Sequence, residues 1–350
     1  MTIANALPIS PNSVAEMSHI GWFLVPTQGF AKLWPSAMPA GPTKGAPMSA
    51  SLLIPAMILD AVLGEPKLIW DRYPHPAVLM GRLIGRFDAL FNAGANKRLK
   101  GIAVMIALVT GAAVLGQIVH LLPDFGIIEV VVAAILLAQK SLVEHVAAVT
   151  RGLRMSLRDG QRAVAMIVGR DTDVLDRSGV ARSAIESAAE NLSDGVIAPA
   201  FWFLVGGLPG LMVYKITNTA DSMIGHMTPR HREFGWAAAR FDDLLNLIPA
   251  RLSALLVALT NGWTNPKPIL RDAPLHRSPN AGWPEAAVAC VQGIALAGPR
   301  SYHGQMTDYP WVYPEGRREL GPDDIGQTIR TLWRAWAGML GLAVVVAMVF

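Results

Sequence analysis

Between Arg182 and Arg251 a strongly apolar sequence is interrupted repeatedly by carboxylates, amides and guanidinium groups. Glu186, Glu190 and Asp194 are spaced i, i+4, i+8. On one helix they stack along a single face and repel one another unless a metal or basic groups compensate. Asn218 and Asp221, then Asp242, Asp243 and Asn246, supply further oxygen donors. Hard cations such as Mg2+ take oxygen ligands and often bridge carboxylates to substrate phosphates. The competing reading is a solvated helix face, but charge inside a membrane is costly unless paired or used.

Arg182, Arg240 and Arg251 offer planar forks for phosphate or carboxylate, and structural ion pairs with Asp242 or Asp243 would employ the same groups. Glu190-Asn191 with Ser193-Asp194-Gly195 reads as a helix end turning a polar loop toward a substrate, with a purely structural stop as the alternative. His75, in Tyr73-Pro74-His75-Pro76, can serve as acid, base or hydrogen-bond donor, or simply anchor its loop. Ser278-Pro279-Asn280-Ala281-Gly282-Trp283-Pro284-Glu285 reads as a tight loop into a helix, with Glu285 at the positive end, where it binds substrate or caps.

The elements that must position these groups belong in a bilayer. Apolar residues make up 52% of the 350 and charged ones 16%, and the mean hydropathy is positive, which separates the chain from ordinary soluble domains. A net charge of +4 without a dense basic block gives no basis for nucleic-acid binding. The single cysteine, Cys290, excludes an intrachain disulfide and reads as a small buried hydrophobe.

Residues 1 to 47, rich in Pro, Gly and Ser, read as a disordered or misannotated extension, with translation starting at Met48 and one membrane-embedded catalytic unit over 48 to 350. Leu52 to Leu63 is short for a span, and Gly101 to Leu122 is long enough. Ile127 to Ala138 begins another, and the brief Pro123-Asp124-Phe125-Gly126 connection predicts an antiparallel hairpin. Basic residues on both flanks of that hairpin place the flanks on the cytoplasmic side of the cell's inner membrane and the turn outside. Phe201 to Ile216, broken by Gly206-Gly207 and Pro209-Gly210, fits a re-entrant or broken helix. Leu252 to Leu259 and Ala286 to Leu296 are short and ambiguous, whereas Ala335 to Phe350 reads as a span with Trp333 and Trp336 as interfacial anchors. The expected fold is mostly α, a polytopic helical membrane protein with about four or more embedded helices. Its polar loops face the cytoplasm.

At the residues that carry this chemistry the chain resembles the adenosylcobinamide-phosphate synthase family of cobalamin biosynthesis. The likeness rests on Asp60 with Gly64-Glu65-Pro66, His75-Pro76, Gly81-Arg82-Leu83-Ile84, Gly169-Arg170-Asp171-Thr172 and Ala189-Glu190-Asn191. It continues through Asn218-Thr219-Ala220-Asp221-Ser222, Ala238-Ala239-Arg240-Phe241-Asp242-Asp243 and Ser278 to Ala287. It covers roughly residues 52 to 345. Departures are Glu65 where Asp is expected, Leu192 where a small polar residue is usual, Ala220 where Leu is common and His226 where an aromatic is common.

The resemblance implies ATP-dependent amide formation between the ring D propionate of adenosylcobyric acid and (R)-1-amino-2-propanol or its O-phosphate. It implies Mg2+ held by some of Glu186, Glu190, Asp221, Asp242 and Asp243, with Glu190, Asp194 and His75 as catalytic groups. Substrate contacts would come from Arg82, Arg182, Asn191, Ser193, Asn218, Arg240, Arg251, Ser278, Asn280 and Glu285. Other late corrinoid enzymes are implied partners at the bilayer. Two other classes share some of these features: magnesium-dependent membrane prenyltransferases with Asp-rich motifs, and a non-catalytic transporter or scaffold with a discontinuous helix at Gly206 to Gly210.

Overall fold

The computed structural model describes residues 46 to 302 and 305 to 350. The extension and the start at Met48 lie, but for residues 46 to 48, outside the described residues. Helices dominate: α1 (Ala46–Leu63), α2 (Lys67–Trp70), α3 (Pro76–Phe91), α4 (Lys97–His120), α5 (Ile127–Leu136), α6 (Gln139–Met155) and α7 (Leu157–Val164). A second set comprises α8 (Arg177–Leu192), a π-helical turn (Ser193–Ile197), α9 (Ala198–Ile224), α10 (Trp236–Thr260), α11 (Lys267–Asp272), α12 (Gly282–Gln292) and α13 (Pro322–Val349). Between α12 and α13 lie β1 (Leu296–Ala297), β2 (Arg300–Tyr302), β3 (Gln305–Thr307) and β4 (Trp311–Val312). They pair antiparallel as β1 with β4 and β2 with β3.

Among the described residues four helical segments are long and apolar enough to cross a membrane: α4, the continuous run from α8 to α9, α10 and α13. Their outward faces carry apolar side chains, such as Ile106, Leu115 and Ile118 on α4 and Val345 and Met348 on α13. Such exposure costs little in lipid, which is as apolar as the side chains themselves. This is a polytopic α-helical membrane protein.

Helix starts follow local chemistry. His75 accepts from Ala77 N at 3.2 Å ahead of Pro76 at the first position of α3, and Asp176 accepts from Gly179 N at 2.6 Å to open α8. Each satisfies a donor that the first helical turn leaves orphaned. Asp60, near the end of α1, performs the same task at long range. Its Oδ2 accepts from Gln139 N at 2.9 Å, where the chain breaks between α5 and α6.

The expected hairpin differs in its packing. The turn forms, and His120 Nδ1 lies 3.0 Å from the buried Glu129 carboxylate across it. Yet α4 packs chiefly on α9, while α5 packs on α1. Nor does α5 span, because extended backbone at Leu137 (ψ 159°) ends it after 10 residues. The close approach of α4 to α9 has a cause legible in both sequences. A Cβ on Gly116 would stand 2.6 Å from Pro209 Cα. Gly207, at φ +60°, makes the kink that brings this backbone forward.

Candidate functional site

The predicted polar loop after Glu190 is instead helix. The chain runs from α8 through the π turn into α9 without leaving helical geometry, so Glu186, Glu190 and Asp194 ride on one continuous rod. Pro199 explains the turn: lacking an N–H, it cannot complete the regular ladder, and the preceding turn widens so that Ala198 N donates to Ser193 O. The kink expected at Gly206 to Gly210 is present at Gly207, but the helix resumes and continues to Ile224.

A cavity of about 420 Å³ opens beside α8. Glu186, Glu190 and Glu285 contribute carboxylates to its wall, Arg170 and Arg277 guanidinium groups, and His226 and His276 imidazoles. Glu186 is 5% exposed. Its Oε2 accepts from Arg170 at 2.6 Å and its Oε1 from Ala297 N at 2.7 Å, tying the loop after α7 and strand β1 to α8. Glu190 and Asn191 are exposed into this space, and Asn191 Nδ2 donates to Ser187 O at 2.8 Å. A second cavity of about 420 Å³ shares the wall of Ile167, Val168, Ser187 and Asn191 and is bounded otherwise by Ser141, His145 and Gly195.

The second acidic group lies on α9 and α10. Asp242 Oδ1 accepts from Asn218 Nδ2 at 3.3 Å and its Oδ2 from Asn246 Nδ2 at 2.9 Å. The Tyr214 hydroxyl meets both Asn246 Oδ1 at 3.1 Å and the Asp194 carbonyl at 3.0 Å. Asp194 is within Coulombic range of Glu190, Asp242 and Asp221, and Asp221 is within range of Asp243 and His226. Folding thus brings two acidic groups that are distant in sequence within Coulombic range of one another; Glu186 and Glu190 line the first cavity, whereas Asp194, Asp221, Asp242 and Asp243 line neither cavity. Among the described residues no three acidic, histidine or cysteine groups converge as a ready-made metal cage. The donors are nevertheless hard oxygens, which suits Mg2+ held by one or two carboxylates and completed by phosphates.

The remaining predicted residues divide. Arg240 pairs with Asp243 at 3.1 Å, and the Asp243 carbonyl accepts from Asn280 Nδ2 at 2.8 Å. Arg251 donates to Asn280 Oδ1 at 3.1 Å and lies 4.6 Å from the centre of the Trp283 ring. Ser278 Oγ accepts from the backbone of Asn280 and Ala281, each at 3.2 Å, shaping the entry to α12, in whose first turn Glu285 sits 3.8 Å from His276. Ser193 is buried in the π turn. Arg182 turns elsewhere, donating to the Arg318 carbonyl at 2.8 Å beside the Trp311 ring. Arg82 is exposed on α3. His75 does not line either cavity; its Nδ1 is occupied as the α3 cap, and burial lowers its proton affinity below the ordinary value of 6.5.

Sequence reasoning missed Lys215, Tyr214, His276 and Arg277. Lys215 interrupts an apolar span and lies within Coulombic range of Asp194, Glu65 and Asp60, so its position in the span was the available signal. Nothing local marks Tyr214, whose partners sit 20 and 32 residues away.

Fold and site together define a membrane-embedded helical protein with glutamates and basic groups around a ligand-sized cavity and a further acidic group on α9 and α10. A family model described as CobD/Cbib protein matches residues 53–332, and the chain belongs to that family. It is 47% identical over 312 residues to the cobalamin biosynthesis protein CobD of Brucella suis biovar 1 (strain 1330), covering 84% of this chain and 95% of that one. Proteins of the same name from Rhizobium meliloti (strain 1021), at 46% over 82% and 94% of the two chains, and Rhodobacter capsulatus, at 44% over 83% and 95%, are similar. No solved structure matches the chain. Its role lies in cobalamin biosynthesis.

Proposed function

We propose that this protein joins the ring D propionate of adenosylcobyric acid to (R)-1-amino-2-propanol or its O-phosphate, at the expense of ATP. The supporting observation is the cavity beside α8, where carboxylates face guanidinium and imidazole groups in a member of the CobD/CbiB family. Its volume lies in the ligand-pocket range of roughly 300–1,000 Å³. That space suits a propionate arm and phosphates, with the corrin macrocycle left outside.

A carboxylate is a poor acyl donor, so one propionate oxygen attacks the terminal phosphorus of ATP, the bond to the bridging oxygen breaks, and ADP leaves. The neutral amine nitrogen then attacks the acyl phosphate carbon. The tetrahedral intermediate expels inorganic phosphate as the nitrogen loses its proton. Arg277 supplies the positive wall for phosphate oxygens, with the His276 imidazole beside it, and Glu190, exposed into the cavity, accepts the amine proton. Asp194, Asp221, Asp242 and Asp243 are the residues that would hold Mg2+, which when bound neutralises phosphate charge. Asn280 and Arg251 fix the Asp243 backbone from the α12 side.

The basic flanks of α4 and α6 favour a cytoplasmic site in the inner membrane. The test is purified protein in detergent with adenosylcobyric acid, aminopropanol phosphate, ATP and Mg2+, following corrinoid mass while each component is omitted. An amide that requires all four is expected. Failure with both the phosphorylated and the free amine, from folded protein supplemented with membrane extract, refutes the reading.

A further inference from the structure

We propose that Tyr214 and Asn246 are positioning residues that register the two halves of the acidic array against each other. The idea deepens the proposed function and rests on it. It begins with a carbonyl that the helix cannot satisfy. In a regular ladder Asp194 O would accept from Ala198 N, but that donor is taken by Ser193 O. In π-helical register its donor would come from residue 199, which is proline and has none. The π turn therefore releases one carbonyl inside the protein, where an unmet acceptor is expensive.

Tyr214, one of the largest fully buried side chains, sends its hydroxyl to that carbonyl at 3.0 Å. The same oxygen is 3.1 Å from Asn246 Oδ1, while Asn246 Nδ2 donates to Asp242 Oδ2 at 2.9 Å and is 3.3 Å from the Asp242 carbonyl. A phenol carries a single hydrogen, which its two acceptors must share. The chain from Asp194 through Tyr214 and Asn246 to Asp242 thus fixes the π turn on one rod and the Asp242 carboxylate on another by one continuous set of buried contacts. Asn246 is 1% exposed, so water does not readily replace it. The arrangement gives the hydroxyl a purpose beyond filling space: it fixes the backbone that carries Asp194 relative to the Asp242 carboxylate, and so the placement of any cation those residues would hold.

The experiment compares wild type, Tyr214→Phe and Thr217→Val as full-length proteins in detergent. Thr217 is a fully buried hydroxyl on the same helix that donates to its own helix at Val213 O, 2.8 Å, and so controls for general loosening. Mn2+ affinity is read by electron paramagnetic resonance without corrinoid, and the Mg2+ dependence of amide formation separately. Tyr214→Phe is expected to fold, to bind Mn2+ about tenfold more weakly (about 1.4 kcal/mol) and to raise the half-saturating Mg2+ by a similar factor, with KM for the amine unchanged. Thr217→Val is expected to change neither.

Unaltered Mn2+ affinity and Mg2+ requirement in Tyr214→Phe, or equal shifts in Thr217→Val, overturn the positioning role. Should Tyr214→Phe fail to fold, Asn246→Leu carries the same expectations and the same refutation. Wild type that binds Mn2+ yet forms no amide overturns the ligase reading, while the affinity comparison still decides the positioning role. Wild type that binds no Mn2+ overturns both.

Discussion

Replacing Arg170 by Met should destabilise the protein more than replacing Arg170 and Glu186 together. The Arg170 and Glu186 side chains are 11% and 5% exposed and meet at 2.6 Å. Removing the guanidinium takes the Arg170 charge away from a buried carboxylate, and breaking a buried pair in this way costs about 3–5 kcal/mol in comparable sites. Removing Glu186 alone strands the guanidinium in the same way. Arg170→Met with Glu186→Met removes both charges and substitutes apolar volume, a change often close to neutral. It still deprives Ala297 N of the acceptor at 2.7 Å, at about 1–3 kcal/mol. The double variant is therefore expected to lose less than either single one, with a coupling of several kcal/mol between the sites. Thermal unfolding in detergent, followed by circular dichroism for all four proteins, measures this. A double variant at least as unstable as the sum of the singles, or Arg170→Met within about 1 kcal/mol of wild type, would refute the reasoning.

Three further outcomes are expected. Glu190→Gln should lower the rate of amide formation by roughly 10²- to 10⁴-fold if Glu190 accepts the amine proton; near-normal turnover in folded protein would remove it from that role. His75 is held neutral by burial, so as the pH falls through 6.5 the unfolded chain takes up the proton first and stability declines until the folded imidazole is also protonated. His75→Asn, which keeps a capping oxygen, should flatten stability between pH 7.5 and 5, and superimposable wild-type and variant profiles would contradict this. Gly116→Ala should cost about 1–3 kcal/mol, because the new methyl meets Pro209 Cα at 2.6 Å, and an unshifted melting temperature would show that α4 and α9 yield freely.

Much was legible before folding, for definite reasons. Apolar length alone marks α4 and the C-terminal helix, since a span needs only about twenty apolar residues and no partner. The Ser278 to Glu285 segment announces its turn and helix start because Ser, Pro and Gly chemistry acts locally. By contrast, α10 was read only as a short apolar patch, because Arg240, Asp242, Asp243 and Arg251 break its hydropathy while their partners lie on other elements. The polar loop expected after Glu190 failed for the same reason. Ser193-Asp194-Gly195 has turn composition, but packing and the Tyr214 hydroxyl keep it helical.

The sequence by itself determined that the chain belongs in a bilayer, that it carries acidic groups too costly to lie idle there, and which residue types they are. Only the tertiary structure decided that the Asp194 carbonyl and the Asp242 carboxylate are linked through Tyr214 and Asn246, that Arg170 is given to Glu186, and that His75 caps a helix. Spacing along a chain fixes which side chains share a helix face, because that depends only on backbone period. Which groups meet across helices depends on crossing points set by Gly116, Gly207 and Pro209, far in sequence from the carboxylates they help to assemble.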